Sequence, residues 1–377
     1  MRPRHALVPV LAMLAVVPAV AGCGSGGDGG DPSLTVYLSA PLRGPSAADG
    51  RDVADGARMA LDDAGGGAAD TPVRLVVLGD AGADGADAAL AGANARTATE
   101  DSTAIAYVGE LDSGTTRTSL PITNEAGLLQ VSAGASASDL TRAAPGSDQI
   151  PDEVQPSEVR TFARVIPSDV AQGAAAAGAA ADAGVREVRL FGDGGRYEQS
   201  LEYGYESVSD APPLVTSGPA EGVYDAGTKS GAAALPSGLG SRMPRLLIGA
   251  DAQIVGSPPE AGLQPGALLA SGTLAPAQLA DPDFAALFDD AYDREPGRFA
   301  AYGYEAMASV LDAIERADDP LDRKSVIDAY FATGDRDSVL GVYSIDEAGD
   351  TTLDRVGAYL ERDDAPLRAL REPLTVP

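Results

Sequence analysis

The body of this chain lacks histidine and cysteine. The single histidine, His5, and the single cysteine, Cys23, both lie within the first 23 residues. A histidine base, a cysteine nucleophile, a zinc cluster and an intramolecular disulfide are therefore excluded from everything that follows. Aromatic residues are scarce at 5% while Ala and Gly abound, so packing must rest on small side chains and close approach of elements. No cluster of Lys and Arg interrupts a chain of 27 basic and 56 acidic residues with a formal charge of −29. Without a basic face the chain is not a nucleic-acid binder, and its acidity reads as a solubility trait. No Gly-x-Ser-x-Gly stands in a nucleophile-elbow context, and no histidine is left to serve a triad. Hydrolysis by two carboxylates survives this inventory, but pairs are commonplace among 56 acids and imply nothing by themselves.

What is present is enough for two domains of ordinary size. The chain has 377 residues, 44% of them hydrophobic. Residues 1–22 read as a targeting segment: Arg2 and Arg4, then an apolar run over 6–20, then Val20-Ala21-Gly22 before Cys23. "VAGC" resembles the bacterial lipobox, which implies cleavage before Cys23 and a lipidated amino terminus. The run is too short and too broken by proline to span a membrane. Residues 23–32 are a Gly-rich tether.

From position 34 apolar runs alternate with helical patterns. Strands are expected at 34–38, 73–78, 104–108, 128–132, 162–166, 185–191, 214–217, 222–224, 245–249, 266–272, 339–344 and 353–360. Helices are expected at 51–64, 84–99, 115–125, 169–183, 197–207, 282–292, 299–316 and 322–331, with a weak one at 230–240. Gly65-Gly66-Gly67 follows a helix and lacks a Lys-Ser/Thr after it, so it is a helix stop and not a phosphate loop. Residues 141–156, with three prolines, read as a surface loop, and 365–377 carries no readable element.

The stretch 108–141, "VGELDSGTTRTSLPITNEAGLLQVSAGASASDLT", organises the rest. It reads strand, turn, helix, strand, turn, with Asp112 and Ser113 as helix N-caps and Gly127 as the stop. Parallel strands joined by a helix bring both turns to one sheet edge, where open α/β sheets bind ligands. Ser113 and Ser136 should therefore face one crevice.

This stretch resembles the solute-binding proteins of branched-chain amino acid ABC transporters, the type I periplasmic-binding family. The resemblance continues through "LSAPLRGPSAADGRDVADGARMALDDAGG", "FARVIPSDVAQGAAAA" and "AYGYEAMASVLDAIERA". It implies an α/β fold of two doubly wound, parallel-sheet lobes joined by three crossings. Lobe 1 would comprise 33–161 and 273–340, and lobe 2 162–272 and 341–377. Too few elements lie between 207 and 245 for two full strand–helix units, so the second lobe should be trimmed by about one helix.

The resemblance also implies a ligand site and a role. Ser113 and Ser136 match residues that bond an amino acid's carboxylate and ammonium, with the Gly134 carbonyl beside them. Asp251 matches a carboxylate for the ammonium, and Tyr197 a cleft-lining tyrosine. Asp49 stands where many members place an aromatic over the ligand, with Arg43 nearby, which leaves room for a more polar ligand. The implied protein is a monomeric lipoprotein at the outer face of the membrane, anchored through lipid alone. It would need no cofactor or metal, catalyse nothing, and capture a small amino-acid-like solute for an ABC permease. The alternative is a sensory or orphan binding lipoprotein that presents its ligand state to another surface protein.

Overall fold

Every residue of the strand Leu34–Ala40 is buried, as befits the middle of a sheet covered on both faces. In the computed structural model, which describes residues 33–192, 194–218, 220–226, 246–250, 268–360 and 368–377, this strand is the pivot of the first sheet. The segment 1–32, with Cys23, the expected helix at 230–240 and Asp251 lie outside the described residues.

Thr71–Gly79 flanks Leu34–Ala40 on one side and Ala104–Val108 on the other. Leu129–Ser132 and Phe162–Arg164 continue beyond, all parallel. The strand order reverses between Leu34–Ala40 and Ala104–Val108, and at such a point a crevice opens past the strand carboxyl ends. Alternate residues face opposite layers: Val36 and Leu38 enter the core beneath the helices Ala47–Asp63 and Ala300–Arg316, while Tyr37 packs with Ala95, Ala98 and Tyr107.

The scarcity of aromatics is met by backbone contact. A Cβ on Gly56 would fall 2.1 Å from the Ala300 carbonyl, and one on Gly303 2.3 Å from that of Val53. The helices Ala47–Asp63 and Ala300–Arg316 thus meet through reciprocal glycines. The helices Asp169–Asp182 and Arg196–Glu206 of the second lobe repeat the device with Gly173 and Gly204.

The second sheet runs Leu214–Val215, Val188–Phe191, Gly222–Asp225, Leu246–Ala250 and Leu268–Ser271 in parallel, then Arg355–Leu360 antiparallel. One connection in this sheet is unusually short. Leu214–Val215 and Gly222–Asp225 lie on opposite sides of Val188–Phe191, yet only residues 216–221 join them. A helical crossover takes at least about 10–12 residues. The short link suffices because Leu214–Val215 is only 2 residues long.

Several expectations are corrected. The first lobe keeps the chain longer than anticipated: Phe162–Arg164 pairs with Leu129–Ser132, and Val165, Ile166, Tyr343, Ile345 and Leu353 sit in the first core. Residues 339–344 form no strand. Gly341 at φ +133° breaks the extended run, and Tyr343 makes only an isolated bridge to Arg336. The tail, left unread in the sequence, pairs with Arg355–Leu360 through Arg368–Ala369 and Leu374–Thr375. The chain passes between the sheets three times: after Arg164, after Ser271 and before Arg355. No helix among the described residues is long and apolar enough to cross a membrane.

Candidate functional site

The turns that follow Ala104–Val108 and Leu129–Ser132 are tied to each other before any ligand is considered. Ser132 Oγ donates to the Glu110 carbonyl at 2.6 Å and accepts from the amides of Ala135 (2.8 Å) and Gly134 (3.2 Å). Gly134 lies so close to Leu111 that a Cβ would fall 2.4 Å from the Leu111 side chain, which explains a glycine there. Asp112 caps the helix Ser113–Glu125 by accepting from the Thr115 amide at 3.0 Å. The Ser113 hydroxyl in turn accepts from the Ala137 amide at 3.2 Å.

From behind, Arg164 fastens the second turn. This wholly buried guanidinium donates to the carbonyls of Ala135 (3.0 Å) and Ala137 (2.8 Å), to Thr141 Oγ1 (2.6 Å) and to Asp350 Oδ1 (2.8 Å). Burial works to raise the Asp350 pKa, but the Arg164 charge outweighs it and the carboxyl is held below its usual range. A buried, multiply bonded ion pair of this kind fixes geometry.

A cavity of about 1120 Å³ opens between the lobes, and Ser113, Gly134, Ser136 and Tyr197 all line it. Tyr197 is spoken for in part, since its hydroxyl donates to Gln172 Oε1 at 3.2 Å. Asp49 is not brought to the cavity. The helix Ala47–Asp63 starts earlier than the sequence suggested, so Asp49 sits in its first turn, 3.6 Å from Arg298.

Sequence reasoning missed the acid that does line the cavity. Asp169 is 3% exposed, its amide donates to the Ser136 carbonyl at 3.0 Å, and its Oδ1 has no partner among the described residues. Burial pushes this carboxyl up to about 6, against the opposing pull of the Ser136 hydroxyl and the Arg164 charge. In sequence Asp169 reads as an ordinary acidic first-turn residue after the N-cap Ser168. Its place just past the first crossing was the available signal. Asp139 was missed as well. It pairs with Arg117 of its own lobe and with Arg196 of the other, at 2.7 Å. Burial tends to raise the Asp139 pKa, but the two guanidiniums prevail and hold it low.

Two α/β lobes meet around one cleft, and the polar turns after Ala104–Val108 and Leu129–Ser132 converge on it. Residues 34–212 match the family model described as periplasmic binding protein, and the chain takes the type I fold of that class. It resembles the substrate-binding proteins of branched-chain amino acid ABC transporters. A leucine-binding protein from Thermotoga maritima is 20% identical, with a TM-score of 0.67 over 89% of this chain and 97% of that one. An ABC transporter substrate-binding protein from Desulfitobacterium hafniense, in complex with Leu, is 20% identical with a TM-score of 0.69, over 90% and 100% of the two chains. A solute-binding protein from Rhodopseudomonas palustris in complex with 3,4-dihydroxybenzoic acid is 15% identical with a TM-score of 0.63, over 92% and 98%. At these identities the likeness fixes the fold. No curated protein matches the chain.

Proposed function

We propose that the protein is a lipid-anchored, extracytoplasmic solute-binding protein that captures a small amino-acid-like ligand for an ABC importer. One observation carries the ligand reading: the hydroxyls of Ser113 and Ser136 and the buried, half-unpartnered carboxyl of Asp169 line one interlobe cavity. The hydroxyls suit a carboxylate, and Asp169 suits an ammonium. Asp251, expected in that second role, joins the proposal as a further carboxylate from lobe 2. The cavity is built from both lobes, so hinge closure would bury what it holds. The structural neighbours include leucine- and isoleucine-bound proteins, which supports the amino-acid class. The anchor rests on "VAGC" at 20–23 and the glycine tether.

A thermal-shift screen against the twenty amino acids and a panel of aromatic acids tests the ligand reading. Stabilisation by amino acids supports it, and stabilisation by the aromatic acids alone overturns it. Labelling cells with a fatty-acid analogue tests the anchor: Cys23→Ser should lose both label and membrane association.

A further inference from the structure

The cavity has more wall than an amino-acid head group can use. At about 1120 Å³ it exceeds the roughly 300–1,000 Å³ of sites that enclose drug-sized ligands. Ser113, Ser136 and Asp169 account for one part of the lining. Another part is the loop that spans 143–158.

That loop offers two tiers of different chemistry. Pro151 and Val154 are buried and Ile150 half-buried, which makes an apolar strip. Asp152, Glu153 and Glu158 line the same cavity from exposed positions and form an acidic rim. Arg196, the cation that feels Glu153, is already paired with Asp139 at 2.7 Å. Arg117, the other lining cation, is also paired with Asp139. The unpartnered Oδ1 of buried Asp169 marks another part of the lining as a place for positive charge.

We infer that the ligand is an α-amino acid whose side chain is a long aliphatic stem ending in a cation, of the arginine or lysine class. The inference rests on the reading of the cleft as an amino-acid site. The methylenes lie on Ile150, Pro151 and Val154, and the terminal cation reaches the carboxylates of Asp152, Glu153 and Glu158. Such side chains bury their stems while keeping the charge in water. A neutral stem leaves the acidic rim unused, and an acidic side chain meets charge of its own sign.

The test is calorimetric titration of the purified protein with arginine, lysine, norleucine and glutamate. Arginine or lysine should bind about tenfold or more tightly than norleucine, and added salt should narrow the gap. The double variant D152N/E153Q should weaken arginine binding by about threefold or more and leave norleucine unchanged. If norleucine or glutamate binds as tightly as arginine, the amino-acid reading stands and this inference falls. Undiminished arginine binding by the double variant also overturns it. If none of the four binds, the inference falls together with the amino-acid reading.

Discussion

Arg196 Nη1 lies 2.7 Å from Asp139 Oδ2, and the two residues belong to different lobes. Asp139 stands in the short helical turn Ser138–Leu140 that follows the strand Leu129–Ser132, where Arg117 also holds it. Arg196 opens the helix Arg196–Glu206 on the far side of the cavity. The pair spans the cleft, so it ties one lobe to the other.

Its contribution should be small and kinetic. The Arg196 side chain is 71% exposed, and exposed pairs contribute about 0.2–1 kcal/mol. Arg196→Ala should speed ligand dissociation by about twofold to fivefold and leave the melting temperature of the ligand-free protein nearly unchanged. Stopped-flow dissociation of a bound amino acid, at low and high salt, measures this. High salt should erase the difference between variant and wild type.

Asp169 links binding to protons. Its carboxyl sits at about 6, above the roughly 3.9 of an unfolded chain. The sign follows: the stability contributed by the protonated form is present below about pH 4 and is lost as pH rises through about 6. A ligand ammonium favours the ionised form, so affinity should fall as pH drops below about 6. Titrations near pH 6 in buffers of different ionisation enthalpy should show proton release on binding. Asp169→Asn should abolish that release.

A second acid pair lies behind the cleft wall. Glu110 is wholly buried, accepts from the Tyr107 hydroxyl at 2.5 Å, and neighbours Asp80. Burial raises both carboxyls, Asp80 to about 6 and Glu110 well above its ordinary value; the Asp80 charge pushes Glu110 up further, while the hydrogen bond with Glu110 pulls Asp80 back in part. Tyr107 and Asp112 are the other titratable groups that act on the pair. Both shifts are upward, so the stability of the protonated pair is lost as pH rises through the folded values. Wild type should therefore melt lower at pH 8 than at pH 5. Glu110→Gln should reduce that slope, as differential scanning fluorimetry across the range would show.

Backbone contact between helices gives a stability prediction. Gly303→Ala places a methyl 2.3 Å from the Val53 carbonyl and should destabilise the first lobe by about 1–3 kcal/mol. Gly334→Ala, where a Cβ meets nothing within 4 Å, is the matched control and should be nearly neutral. Urea melts of both variants decide it.

Strands that are apolar throughout and helices with glycine stops were legible in the sequence. Ala104–Val108, Ser113–Glu125 and Leu129–Ser132 fall within two residues of expectation. The meeting of Ser113 and Ser136 at one crevice was legible too, because parallel topology carries both turns to one sheet edge, whereas Gly134 and Tyr197 were expected there only through the family resemblance. Asp169, Asp139 and Arg196 were not legible. Their significance depends on which residues face them across the lobes, and a chain with 56 acids offers little to single out these two aspartates. Asp49 was misplaced for a local reason: its helix begins about a turn early, at Ala47, so Asp49 lies inside the helix and not in the loop before it.

Lobe 1 hydroxyls and Asp169 should together grip one zwitterion. Calorimetric titration of wild type, Ser136→Ala and Asp169→Asn with the amino acid that most stabilises the protein tests it directly. A charge-assisted hydrogen bond contributes about 1.5–3 kcal/mol, which is roughly tenfold to a hundredfold in affinity. Asp169→Asn should lose that much at pH 7.5, and Ser136→Ala less, with both variants folded as wild type. An Asp169→Asn protein that is folded and binds as tightly as wild type would contradict the account.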